Sequence, residues 1–283
     1  FYEHAARQML AVGDYEGAAS IYLLAKKSSR DYLQGRHFFH TAVRTLQSGN
    51  LLEAALRLAE EGIPEYINDS ESLIFIINLA RSAGRPDVAE RYVRLLLRLA
   101  MERQWWLAEV EKAWGPGHFR PVSNQAMTSF QPGIPYDEKI FNLAYEVFLE
   151  NGKLDDAWKL AKFAVDHAKE KKIWRQRLAQ VSEWHGKPID ALQQWRLLAK
   201  ETGEDAAWQA VLRLAPGLFD DEALLPALHY QLQQKPGDKA LIRQIVDANI
   251  RLAEPKRAID FRAEQYRRQP DGDYLAWQAS IAE

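Results

Sequence analysis

The chain of 283 residues contains no cysteine at all. That absence fits a compartment in which stray thiols oxidise, and it equally fits many cytosolic proteins. Long apolar runs are missing too: none approaches the roughly 20 residues that a membrane span needs, and no signal-peptide pattern is read within these 283 residues. Neither sign of charge is in excess, with 37 Lys+Arg against 39 Asp+Glu and a formal charge of −2. The balance is local as well as global, since residues 1–140 hold 16 basic and 17 acidic residues and the remainder 21 and 22. A surface for nucleic acid or anionic lipid wants a basic face, so the composition argues against both. Motifs of catalysis are absent: there is no Gly-rich phosphate loop, no Ser-centred elbow and no zinc pattern. His37 and His40 lie three apart on an expected helix, a spacing compatible with a shared metal, but no Cys or carboxylate nearby completes a ligand set. The pairs Asp155-Asp156 and Asp220-Asp221 fall at helix starts, where the helix dipole accounts for them. Neither an enzyme, a cofactor nor a metal is expected.

What is present is a period. The clearest unit runs from Ile140 to Val165, where Ile140, Ala144, Val147 and Phe148 mark one helix face and Leu154, Ala157, Leu160, Ala161 and Ala164 a second. Asn151 and Gly152 stop the first helix, and Asp155 and Asp156 favour the first turn of the next. Phrases running from Gly to Ala in five steps recur, ending on Ala18, Ala54, Ala89, Ala157 and Ala191, with weaker copies ending on Ala223 and Ala258. Successive alanines stand 36, 35, 68, 34, 32 and 35 apart, and 68 is two periods, so one degraded copy lies between Ala89 and Ala157.

With this period of about 34 residues and these paired helices, the sequence resembles the tetratricopeptide repeat family. The second-helix slots downstream of the alanines are filled by Tyr22 and Ala25, Val93 and Leu96, Ala161 and Ala164, and Trp195 and Leu198. Inter-repeat turns are matched at Lys235-Pro236-Gly237-Asp238 and at Gln269-Pro270-Asp271-Gly272-Asp273. Departures are visible: the early first-helix tryptophan is clear only at Trp208, with Phe141 in its place in the best repeat, and the sixth turn has lost its glycine. The resemblance implies an all-α, right-handed α-solenoid over residues 1–283, with about seven repeats plus a degenerate one carrying a loop at 103–136. The start at Phe1 and the unfinished repeat at Tyr274–Trp277 suggest a piece of a longer array.

In chain order, the spacing predicts helices over Tyr2–Ala11, Tyr15–Lys27, His37–Gln47 and Leu51–Glu61, then a turn at Pro64. Ser70 is the expected N-cap of a helix whose Leu73, Ile76, Ile77 and Ala80 face inward, and Pro86 opens its partner. That third pair is expected to end near Met101, and a separate helix to follow over Gln104–Ala113. Trp114-Gly115-Pro116-Gly117 ends it, and Pro121, Pro132, Gly133 and Pro135 prevent another. A loop of this length is unusual without a purpose. Three readings are open: its aromatics fold back over the flank left by the missing helix, they bind a partner, or the stretch is disordered. For the second reading the anchors are Phe119, Arg120, Phe130 and Tyr136, with Trp105, Trp106 and Trp114 beside them.

In the tetratricopeptide family the first helix of each pair lines a groove. Carried over residue by residue, this places there Arg36, Phe39, Ile74, Asn78, Arg81, Asn142, Glu146, Gln176, Gln180, Trp184, Gln209, Arg213, Arg243, Asp247 and Arg251. The pairs Ile74/Asn78 and Asn142/Glu146 depart from the Lys and Asn with which some relatives clamp a chaperone's terminal carboxylate, so that role is disfavoured. The degenerate Trp- and Arg-bearing repeats are similar to the periplasmic repeat region of bacterial outer-membrane exopolysaccharide exporters. That likeness implies a periplasmic scaffold for protein–protein interaction, docking a soluble polysaccharide deacetylase and hydrolase near the export pore. An alternative is a carbohydrate chain bound along the groove, for which Trp184, Gln176, Gln180 and Arg213 are suitable; a generic adaptor is a third.

Overall fold

The structure, a computed structural model, describes residues 1–114, 137–268 and Pro270, with only the backbone of 101–114. Among these residues every regular element is helical: α1 Tyr2–Ala11, α2 Tyr15–Ser28, α3 Tyr32–Ser48, α4 Leu52–Gly62, α5 Ser70–Ser82, α6 Pro86–Trp114 and α7 Glu138–Glu150. These are followed by α8 Leu154–His167, α9 Lys171–Trp184, α10 Pro188–Thr202, α11 Asp205–Leu214, α12 Asp221–Gln234, α13 Lys239–Arg251 and α14 Pro255–Arg268. Short 3-10 turns lie at Ile63–Tyr66 and Pro216–Leu218. The fold is the all-α helical-repeat solenoid class. Its residues divide into two compact units, Phe1–Ala157 and Trp158–Glu283.

The pairs are built by one local rule. A residue with positive φ ends the first helix, and the residue five places on is a small, fully buried one: Gly13 and Ala18, Gly84 and Ala89, Gly152 and Ala157, Gly186 and Ala191, Ala253 and Ala258. Each of these alanines donates its N–H to the carbonyl of the residue just after the left-handed one, closing the first turn of the second helix. The second repeat keeps the rule with a shift. Asn50, not Gly49, has φ 58°, so the buried residue is Ala55 at 0% exposure rather than Ala54. Asn tolerates this conformation because its short side chain bonds locally. In the sixth, Phe219 takes the left-handed place at φ 54° and the count falls on Leu224; Ala223, one place earlier, is buried as well.

Aspartates cap the first helices. Asp31 Oδ2 accepts from Gln34 N at 2.9 Å, Asp137 Oδ1 from Lys139 N and Ile140 N at 2.9 and 3.1 Å, and Asp238 Oδ1 from Ala240 N at 2.9 Å. The cap of α5 is Asp69, whose Oδ2 accepts from Ser72 N at 3.0 Å, so Ser70 is the first helical residue instead of the cap. The same logic starts α3 at Tyr32, five residues before the expected His37. A cap of this kind contributes about 1 kcal/mol.

Two further expectations change. No Gly or Pro interrupts the chain between Pro86 and Gly115, and α6 accordingly runs unbroken through 114 rather than ending near Met101 with a new helix at Gln104. Phe39, placed on the groove by register, is 1% exposed and stacks on Tyr66 at 5.2 Å. Gly62 makes room for it: a Cβ there would stand 2.3 Å from the Phe39 ring. Trp174 fills the same fourth helical position in α9 as Trp208 in α11, 34 residues later, and is fully buried. It is a repeat tryptophan that the sequence reading passed over.

Candidate interaction surface

In the second unit, α9 buries Trp174, Leu178, Ala179 and Val181. The other side of the same helix carries Ile173, Gln176, Gln180 and Trp184, three or four residues apart and therefore in one stripe. Ile173 is 48% and Trp184 54% exposed, and Gln180 is half-buried. An indole this open on a well-packed helix makes no contribution to the core in proportion to its size. Beside it, Glu183 is a fork. Its Oε1 accepts from the indole N–H of buried Trp195 at 2.7 Å, and its carboxylate pairs with the Arg213 guanidinium of α11 at 2.7 Å. Burial alone would raise the Glu183 pKa, but the bonds from Arg213 and Trp195 outweigh it and hold the carboxyl below its ordinary value. Lys172 and Glu204 tie the starts of the same two helices together. Gln209 and Arg213 on α11, and Arg243 and Asp247 on α13, are exposed at four-residue spacing. Arg251 closes on Asp221 with two bonds of 2.8 and 2.7 Å.

The corresponding face of the first unit is braced internally. Arg36 of α3 reaches Asp69 and Glu71 of the α5 start at 2.9 and 3.0 Å. Arg81 of α5 holds Glu146 and Glu150 of α7 at 2.9 and 2.6 Å. Asn142 is half-buried on α7. His40 Nε2 lies 2.9 Å from Ser72 Oγ, whose hydroxyl donates to Asp69 at 2.5 Å, while the imidazole stacks on Phe75 at 4.6 Å. Burial first, then the charges of Arg44 and Arg36, push the His40 pKa down to about 4. Among the described residues no cluster of three or more His, Cys, Asp or Glu could hold a metal, and no helix is long and apolar enough to cross a membrane.

Of the residues singled out in the sequence, Gln176, Gln180 and Trp184 share one stripe, and Glu183 links Arg213 to its end. Arg243 stands exposed two pairs further on. Phe39 is removed to the core. Trp105, Trp106 and Trp114 lie on the α6 backbone with side chains outside the described residues; Phe119, Arg120, Phe130 and Tyr136 lie outside them altogether. Glu183, which organises the exposed face, was not singled out; an acidic residue next to a tryptophan carries no signal of its own.

No protein-family model matches the chain, and no curated protein does. Solved structures do. A chain of the Naa15/Naa10 complex bound to HypK-THB aligns over 96% of this chain and 37% of its own, with 13% identity and a TM-score of 0.52. YrrB, a TPR protein with an unusual peptide-binding site, aligns over 80% and 98% with 14% identity and a TM-score of 0.45. A tetratricopeptide repeat protein from Parabacteroides merdae aligns over 88% and 98% with 11% identity and a TM-score of 0.28. At these identities the similarity is one of fold.

Proposed function

We propose that this chain is a non-catalytic scaffold that docks another protein on the first-helix face of its second unit. The observation that carries the reading is the open indole of Trp184, 54% exposed, beside an Arg213 held in place by Glu183. Trp and Arg are the residue types that dominate protein interfaces, and an arginine already fixed by a neighbour loses less entropy on binding. The residues Trp105, Trp106, Trp114, Phe119, Arg120, Phe130 and Tyr136 are proposed as a second contribution to docking, on residue type and on their place in the least regular repeat. A regular array offers similar faces at every repeat, so a partner finds a unique register at an interruption.

The finer reading is a role in exopolysaccharide export and biofilm formation. The phrase from Tyr2 to Ala19, Y-E-H-A-A-R-Q-M-L-A-V-G-D-Y-E-G-A-A, resembles the periplasmic repeats of PelB, the outer-membrane export protein of the Pel polysaccharide. In that setting the chain is periplasmic, and its partner is the deacetylase and hydrolase PelA. The test is a pull-down of purified PelA with the intact chain and with Trp184→Ala. Retention by the intact chain and loss by the variant supports the reading; no retention by either rejects the partner.

A second reading is favoured by Gln176 and Gln180 on the same stripe as Trp184, since planar amides beside an open indole suit a sugar chain. Titration with Pel-type oligosaccharide, followed by tryptophan fluorescence, separates the two. Saturable quenching that needs Trp184 but not PelA favours the sugar.

A further inference from the structure

Four of the turns within helix pairs place glycine at the left-handed position, and the turn between α11 and α12 places Phe219 there instead, at φ 54°. A bulky side chain in this conformation strains the backbone, and glycine would not. Core packing does not compensate, because Phe219 is 92% exposed. The local sequence therefore sacrifices stability to hold an aromatic ring in water at the apex of a turn. Next to it is a cavity of about 490 Å³ formed by α10, the start of α12 and the residue after α13. Ile189, 63% exposed, Leu218 and Leu252 supply its apolar wall.

The occupant is indicated by charge. Asp220, Asp221 and Glu222 stand at the cavity, and Arg196 is the one cation among the residues lining it. Asp221 is compensated by Arg251, and of the charges that remain Asp220, which also caps Ala223 N at 2.9 Å, and Glu222 outnumber Arg196, so the rim carries one formal negative charge in excess. A second copy meeting this patch across a two-fold axis would bring the acidic rim against itself. An anionic lipid surface is repelled for the same reason. A cationic, apolar peptide segment meets both the wall and the rim.

We propose that the Phe219 turn is a second docking site, which takes a segment of a partner protein carrying apolar residues flanked by Lys or Arg. It shares no residue with the Trp184 face and stands independently of the function proposed for that face. The test is selection from a displayed random-peptide library on the intact chain, followed by anisotropy titration of the enriched peptides. Apolar peptides with Lys or Arg neighbours should be enriched, and Phe219→Gly should weaken them by about tenfold or more, as loss of a central aromatic anchor does. The same variant should melt no lower than the parent, because it relieves the turn; Trp184→Ala should leave these peptides within about twofold, because Trp184 is not among the residues that line the cavity and sites without shared partners act independently. The proposal is overturned if no enriched peptide depends on Phe219, if the enriched peptides are acidic, or if Phe219→Gly lowers the melting temperature along with binding. A Phe219-dependent dimer in sedimentation, or Phe219-dependent binding to phosphatidylserine vesicles, would overturn the assigned occupant.

Discussion

The first-helix faces of the two units draw on the same residue types and put them to opposite uses. In the first unit Arg81, its side chain 26% exposed, is closed between Glu146 and Glu150, and Arg36, at 22%, between Asp69 and Glu71. Among its aromatic side chains, Phe39, Phe75 and His40 stack on one another or on Tyr66, and Tyr32, though 54% exposed like Trp184, has its ring 5.5 Å from that of Tyr66. In the second unit Arg213 and Arg251 remain more than half exposed, each held by a single carboxylate, and Trp184 stands open. The lesson is that the repeat register alone does not identify a binding face. A guanidinium satisfied by two carboxylates is a brace; one anchored on one side retains N–H donors for a partner.

If the scaffold is common to both units and only the faces differ, overpacking the helix crossing should be equally damaging in each. Ala157→Trp and Ala191→Trp, both at fully buried positions, should each cost about 1–3 kcal/mol or more by chemical denaturation. An unchanged melting temperature for either would remove that alanine from the crossing. Next in size, Trp184→Ala should weaken partner binding by about 2 kcal/mol in calorimetry while leaving stability within about 0.5 kcal/mol. A fall in stability matching the loss in affinity would make the indole a packing residue and erase the contrast.

A smaller effect separates brace from ligand group directly. Arg81→Ala should lower stability by about 1 kcal/mol, since it breaks a partly shielded network, while Arg243→Ala should change urea unfolding by less than about 0.5 kcal/mol. Equal costs would show that the two faces are built alike. The smallest effect is one of pH. A histidine whose folded pKa lies below its unfolded value of 6.5 binds its proton less readily when folded. The first unit should therefore be most stable above pH 6.5, lose stability as pH falls toward about 4, and lose no more to this group below that. His40→Gln should flatten the melting-temperature profile in that window. Glu183 and Asp221 of the second unit, with pKa values below their ordinary 4.5 and 3.8, contribute stability that is lost only as pH falls through those depressed values.

The helix pairing was legible because one glycine and one alanine recur at a fixed interval, and both have a steric reason to be there. Where another residue could do the same work, reading failed: Asn50 replaced its neighbour Gly49, shifting the buried residue to Ala55, and Phe219 took a place that no propensity assigns to phenylalanine. Phe39 was misplaced because a helix face has no sharp edge in sequence; the deciding fact, the missing side chain of Gly62, lies 23 residues away. The stripe of Gln176, Gln180 and Trp184 could be read from spacing, since α9 is regular. The fork at Glu183 could not, as it joins residues 12 and 30 positions distant.

That fork has an optical consequence. Trp195 sits 7% exposed with its indole N–H on Glu183, and the same carboxylate holds Arg213 at the surface. A ligand group that draws Arg213 away alters the charge felt by a chromophore it never touches, while Trp184 senses the ligand by contact. In a variant that keeps only Trp184 and Trp195 of the nine tryptophans, docking on this face should thus be readable as two emissions of different colour, one from the surface and one from beneath it, without any label.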